Sequence, residues 1–149
     1  MPDRSPLWSV AGVVAAPVGS VWEALVASIP ALAGQDVRAL VHSTSPQVVD
    51  AALGDPLSDA SIRVQVDPDR HCVTVEGQWW YRGETSVEPD ERGSLVAHRV
   101  YNIAPGASRW LVQFVHRQDE ASFRHTHERL VRAIGRRLGC DAYPIDGEK

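Results

Sequence analysis

Hydrophobic and polar positions change period along this chain, and the changes mark its elements. Residues 8–16, WSVAGVVAA, are small, β-branched and uncharged, which predicts a buried strand. Pro17 follows, where a first-turn proline loses no hydrogen bond that a helix needs. Val18, Val21, Trp22, Leu25 and Ile29 then recur at helical spacing, and Pro30 ends the run. Residues 35–42 fit a short helix. Ser45-Pro46 reads as an N-cap and first-turn proline, opening a further helix through Leu53 with Gly54 as its stop. Asp55-Pro56 and Ser58-Asp59 read as loop.

From residue 62 the period is two. Ile62, Val64 and Val66 alternate with Arg63 and Gln65, and Val73 and Val75 with Thr74 and Glu76; Asp67-Pro68-Asp69 between them is a turn. In GQWWYRGETSVEP, residues 77–89, the positions Trp79, Tyr81, Gly83, Thr85 and Val87 share one face. Trp80, Arg82, Glu84 and Glu88 share the other. Residues 89–93, PDERG, read as a hairpin connection, residues 94–103 as a strand, 104–108 as a loop and 109–117 as a last strand. Five consecutive strands with short connections imply an antiparallel sheet. A helix then spans 119–138, with Phe123, His127, Leu130, Ile134 and Leu138 on one stripe. Asp119 and Glu120 suit the positive end of its dipole, Arg136 and Arg137 the negative end, and Gly139 its C-cap. The order predicts an α+β fold in which a curved antiparallel sheet wraps the long C-terminal helix, with helical connectors after the first strand.

Composition narrows the class. A chain of 149 residues suits a single domain, residues 1–149, and at this size a core forms without metal or disulfide. The net charge of −4 and a pI near 5.8 argue against a nucleic-acid partner, which calls for a basic face. Arg124, Arg129, Arg132, Arg136 and Arg137 do cluster, but Glu120 and Glu128 interrupt them, as on a solvated helix face. No apolar run reaches the roughly 18–20 residues that span a bilayer. The opening MPDRSPLW lacks the form of a signal peptide, and Cys72 and Cys140 make no disulfide framework. A cytoplasmic location is therefore the expectation.

The element order and one short motif carry a resemblance. The first strand followed by AAPVGSVWEAL, residues 15–25, resembles the Pro-x-x-x-Val-Trp opening of the START-like helix-grip superfamily, also called SRPBCC. The proline-and-glycine hairpin and the closing amphipathic helix fit the same pattern, over nearly the whole chain. The longer segment 31–60 departs from it, which bears on how a cavity entrance is built. The superfamily includes polyketide cyclases and lipid-transfer proteins. The resemblance implies a deep, mostly apolar cavity between sheet and last helix, taking a lipid-like, polyketide or aromatic molecule, with cyclisation or dehydration in some members.

Alternation then assigns an interior. For 94–103 one register puts Val96, His98, Val100 and Asn102 inside; the other puts Leu95, Ala97, Arg99 and Tyr101 there, since a slip of one residue exchanges the faces. The first is preferred. It sets outward Glu84 opposite outward Arg99 and avoids an unpaired buried charge. With Trp110, Val112, Phe114 and His116 also inward, the interior holds Trp79, Tyr81, Thr85, His98, Asn102, Trp110, Phe114 and His127. An apolar lining with few polar groups is how small-molecule sites are built.

Tyr81 and His98 are the candidates for chemistry: an imidazole exchanges a proton near neutral pH, and a phenol orients a carbonyl. The plainer reading is that they bond each other, Asn102 or water. His125-Thr126-His127 fails as a metal site, because helix positions two apart diverge, and no cofactor is expected. Gly135 fits close packing against the sheet or room for a ligand, packing being the simpler. Outward Trp80 marks a protein contact, as in a homodimer, or packs on a connector; both readings stay open. Three functions remain: a soluble protein binding a hydrophobic small molecule, a cyclase/aromatase or dehydratase using His98 and Tyr81, and a protein-interaction domain with a filled interior.

Overall fold

The uncharged opening segment forms a strand, Trp8–Val14 (β1), and the stripe after Pro17 forms a helix, Val18–Ser28 (α1), which buries Val21, Trp22, Ala24, Leu25 and Val26. Pro17 takes the N-cap position in extended geometry. A short helix, Val37–Val41 (α2), follows; the Asp36 carboxylate caps it, accepting from the Ala39 N–H at 3.2 Å. The computed structural model describes residues 5–29, 32, 34–52, 61–77, 81–104, 106, 108 and 120–145. The expected strand 109–117, with Trp110 and Phe114, and the residues Trp79 and Trp80 lie outside the described residues.

The helix expected from Ser45 is instead a strand, Gln47–Ala52 (β2), antiparallel to Ser61–Asp67 (β3). Ser45 does not cap: the Ser43 hydroxyl donates to the Ser45 carbonyl at 2.7 Å and accepts from the Gln47 amide side chain at 3.0 Å. The stretch is short, and its paired valines, Val48 and Val49, favour extended backbone. The open edge of β3 offers it a full ladder of hydrogen bonds. Propensity yielded to that tertiary partner.

Cys72–Gly77 (β4), Tyr81–Asp90 (β5) and Gly93–Asn102 (β6) continue the run. The β5–β6 hairpin is longer than expected. The ladder runs through Pro89↔Ser94 to Asp90↔Gly93, which leaves Glu91 and Arg92 as the loop. Pro89 is tolerated because β4 begins opposite Ser86, so no neighbour asks for its missing N–H. Asp90 closes the loop by accepting from both the backbone N–H and the Nε of Arg92, each at 2.9 Å.

The long helix spans Glu120–Leu138 (α3) and ends on Gly139, whose φ of +66° suits glycine at a helix terminus. The chain does not stop there. Ala142–Ile145 (β7) pairs antiparallel with β1, an element too short for periodicity to reveal. The described strands form one open, curved sheet in the order β2-β3-β4-β5-β6-β1-β7. Helix α3 packs on β1, β7 and α1. Its approach to β1 is close: a Cβ added at Gly12 would fall 2.7 and 2.9 Å from the two methyls of Val131. Gly135 likewise packs, its missing Cβ position lying 2.5 Å from the Ala142 Cβ.

One end of the interior is a filled apolar core, where Trp22, Leu25 and Val26 of α1 meet Val64, Val66, Val73, Val87, Val96, Val131 and Ile134. Cys72 sits on its margin, where burial raises its thiol pKa and keeps it unreactive.

Candidate functional site

The site begins where that core stops. Inward positions of β5 and β6 are cross-strand partners: Val87↔Val96, Thr85↔His98, Gly83↔Val100 and Tyr81↔Asn102. This is the register in which His98 faces in, and it sets Glu84 opposite Arg99. The charges pair differently from the simple cross-strand expectation. Glu84 holds Arg82 at 3.0 Å, and Arg99 reaches Glu88 at 3.8 Å. On this partly exposed face such pairs are worth at most about 1 kcal/mol, so apolar burial on the other face, not charge, decides the register.

His98 is held from two sides. Its Nδ1 lies 2.8 Å from the Thr85 hydroxyl, itself buried. The His127 ring of α3 stacks on it with centroids 6.2 Å apart and planes inclined by 27°. The His127 Nε2–H donates to the Val96 carbonyl at 3.2 Å, which ties the helix to β6 and fixes the His127 tautomer. Both imidazoles are pushed down to about 4, foremost by burial; for His98 the neighbouring His127 adds to the effect. Both are therefore neutral at pH 7. The Nε2 of His98 makes no hydrogen bond among the described residues, and the residue keeps some accessible surface, so this nitrogen is open to an incoming donor.

Above the imidazole pair lies an aromatic stack. Tyr81 and Phe123 face each other at 5.8 Å and 14°, and Phe123 and Trp8 at 5.1 Å and 29°. Trp8 comes from β1, Tyr81 from β5 and Phe123 from the first turn of α3, so the stack joins three elements. Burial raises the Tyr81 phenol pKa, which keeps it a hydrogen-bond donor at neutral pH. The Tyr81 hydroxyl and the His98 Cε1 both crowd the point where a Gly83 Cβ would stand, so phenol and imidazole converge there.

Of the residues expected in the interior, Tyr81, Thr85, His98 and His127 come together here. Asn102 lies at the same end but turns its Oδ1 to the Ala104 N–H at 3.0 Å, closing the exit of β6. Trp8, Phe123 and Gly83 are site residues that sequence reasoning misses. Phe123 was legible as part of the α3 stripe, and Trp8 as the first member of the alternation Trp8, Val10, Gly12, Val14. Gly83 gave no signal beyond a glycine within a strand.

His127 also reaches the outside. A crevice of about 400 Å³ between α3 and the β1–β7 edge is lined by Val10, Ala11, Arg124, His127, Glu128, Pro144 and Ile145. His125, two positions away, is exposed while His127 is buried, so the two do not converge. Among the described residues no three His, Cys, Asp or Glu side chains are grouped to hold a metal ion, and no described helix is long and apolar enough to cross a membrane.

No family model matches the chain, and no curated protein matches it by sequence. Solved structures do. The NMR solution structure of KanY protein superposes with a TM-score of 0.50 at 14% identity, covering 89% of this chain and 97% of that one. Bacillus halodurans protein BH1534 gives 0.50 at 12% identity, covering 87% and 98%. The Zhui aromatase/cyclase from Streptomyces sp. R1128 gives a looser 0.45 at 16% identity, covering 88% and 95%. Strand order, short helices after β1 and the long closing helix agree with the likeness to the first two of these structures: the chain has the helix-grip fold.

Proposed function

We propose that the chain binds an uncharged hydrophobic small molecule, lipid-like, polyketide or aromatic, between the sheet and α3. One observation carries this reading. His98 is enclosed enough to be held neutral, yet its Nε2 is left without a partner while its Nδ1 is anchored by Thr85. An open acceptor nitrogen in a largely apolar setting is matched by a ligand hydroxyl or amide N–H, a hydrogen bond worth roughly 0.5–1.5 kcal/mol. The adjoining stack of Tyr81, Phe123 and Trp8 offers planar apolar surface for the rest of the molecule. A filled interior serving only protein contacts fits the opposite end of the fold better than this one. Trp79, Trp110 and Phe114 belong to the same expected lining.

The uncharged fluorescent probe N-phenyl-1-naphthylamine tests the proposal. Saturable one-to-one binding that shifts the His98 and Tyr81 NMR resonances supports it. Absence of saturable binding, or binding that leaves both resonances unmoved, refutes it. Native mass spectrometry of protein purified from its own host would identify the retained molecule.

A second reading, an enzyme of cyclase/aromatase or dehydratase type, is favoured by the convergence of Tyr81 and His98. A neutral imidazole accepts a proton and a neutral phenol donates a hydrogen bond to a carbonyl oxygen. Turnover that survives both His98→Ala and Tyr81→Phe removes this reading.

A further inference from the structure

Gly83 stands between the two groups on which the proposed site depends. It is buried on the inner face of β5, with Val75 of β4 and Val100 of β6 as cross-strand partners. A glycine flanked by branched residues within a central strand weakens the strand, so its presence needs a local reason. Backbone conformation is not that reason, because its φ lies outside the left-handed region that favours glycine. Space is. A Cβ at this position would fall 2.5 Å from the Tyr81 Oη, 3.1 Å from the Tyr81 Cζ and 3.1 Å from the His98 Cε1. Carbon atoms in contact prefer roughly 3.5–4.0 Å. The Tyr81 ring is therefore laid along its own strand, its hydroxyl over the bare backbone of Gly83, where the His98 Cε1 also comes close. That Cε1 adjoins the open Nε2.

We propose that Gly83 is a positioning residue: by carrying no side chain, it seats the Tyr81 phenol beside the His98 imidazole and so sets the point at which the cavity meets a ligand's polar group. The ligand half of this inference rests on the binding function proposed above; the seating of Tyr81 does not. The relief is specific. Any side chain at 83 must lift the phenol, rotate the imidazole, or both. Tyr81 is braced from its other face by Phe123, so lifting it also disturbs the stack with Trp8.

The experiment compares Gly83→Ala in two backgrounds, the native chain and Tyr81→Leu, which has no phenol to displace. In the native chain an NOE connects the His98 Hε1 with the Tyr81 ring protons. Gly83→Ala abolishes it, returns the Tyr81 phenol titration toward that of an ordinary tyrosine, and weakens N-phenyl-1-naphthylamine binding about tenfold. In the Tyr81→Leu background the same alanine changes probe affinity by less than about twofold, the signature of a residue acting through Tyr81. The inference is overturned if the NOE is missing in the native chain, if Gly83→Ala leaves NOE and titration unchanged, or if alanine weakens the probe equally in both backgrounds. A native chain that binds no probe, but whose NOE is lost on Gly83→Ala, refutes the binding function and keeps the seating role. The native-chain NOE does not depend on any variant folding.

Discussion

On the inner face of the β5–β6 hairpin, two adjacent cross-strand pairs differ in kind. Val87 and Val96 are buried in the apolar core beside Ile134. One pair further along, Thr85 and His98 share a hydrogen bond and face a second imidazole. Strand geometry, curvature and covering helix are the same for both; only the side chains change. The valine end is stabilised by burial that increases with every methylene. The histidine end buries groups whose desolvation is unfavourable, and it leaves one nitrogen open. A fold that needed only stability would continue the valines. On the proposed function the contrast teaches a division of work along the hairpin: one end holds the molecule together, and the other is kept available.

Three changes break or sharpen that division. The largest for any single residue is Ile134→Ala. The side chain is fully buried, and its truncation costs about 4 kcal/mol in a denaturant melt, without altering the His98 resonances. A loss under about 1 kcal/mol would show that this end is not the stabilising one.

Acidification follows. His98 and His127 are held at about 4, against about 6.5 when unfolded. Between these values the unfolded chain binds more protons, so stability climbs with pH through the window. It is complete above about 6.5 and lost as pH falls through about 4. The loss is on the order of 3 kcal/mol for each imidazole, and one of the two shares is removed in His98→Gln, as read by denaturant midpoints from pH 7 to pH 4. A pH-independent midpoint across this range contradicts the neutral, buried pair.

The smallest effect on stability is that of Tyr81→Phe, which keeps the stack and removes only the hydroxyl. The expected cost is under about 1 kcal/mol in stability, with a roughly fivefold loss of affinity for N-phenyl-1-naphthylamine. The reverse ranking, a large stability loss with unchanged affinity, would assign Tyr81 to the structural end.

Much of this division could be read from the chain. Alternation put Tyr81, Thr85, His98 and Val96 on one face, and the cost of burying Arg99 selected the register that the ladder adopts. Helical spacing located α1 and α3, including His127. What escaped depends on partners distant in sequence. The stretch after Ser45 looked helical because local caps were present, whereas its hydrogen bonds come from β3. The four-residue β7 has no period of its own and exists because β1 has a second edge to fill. Gly83 is silent in sequence because its significance lies in the Tyr81 ring resting over it. Pairing of opposite charges was a weaker guide than the avoidance of a buried one: Glu84 and Arg99 stand opposite each other while each pairs with another residue.

The position of β1 between β6 and β7 has a consequence for biosynthesis. The strand that leaves the ribosome early has both neighbours encoded late, Ser94–Val100 on one side and Ala142–Ile145 on the other. Until those segments emerge, its N–H and C=O groups are solvated or held by transient contacts, and the grip around α3 cannot close. Completion of the sheet on both edges of β1 therefore waits for segments far along the chain and is slow in proportion to the separation it spans, with VAGVV the stretch left unpaired in the meantime.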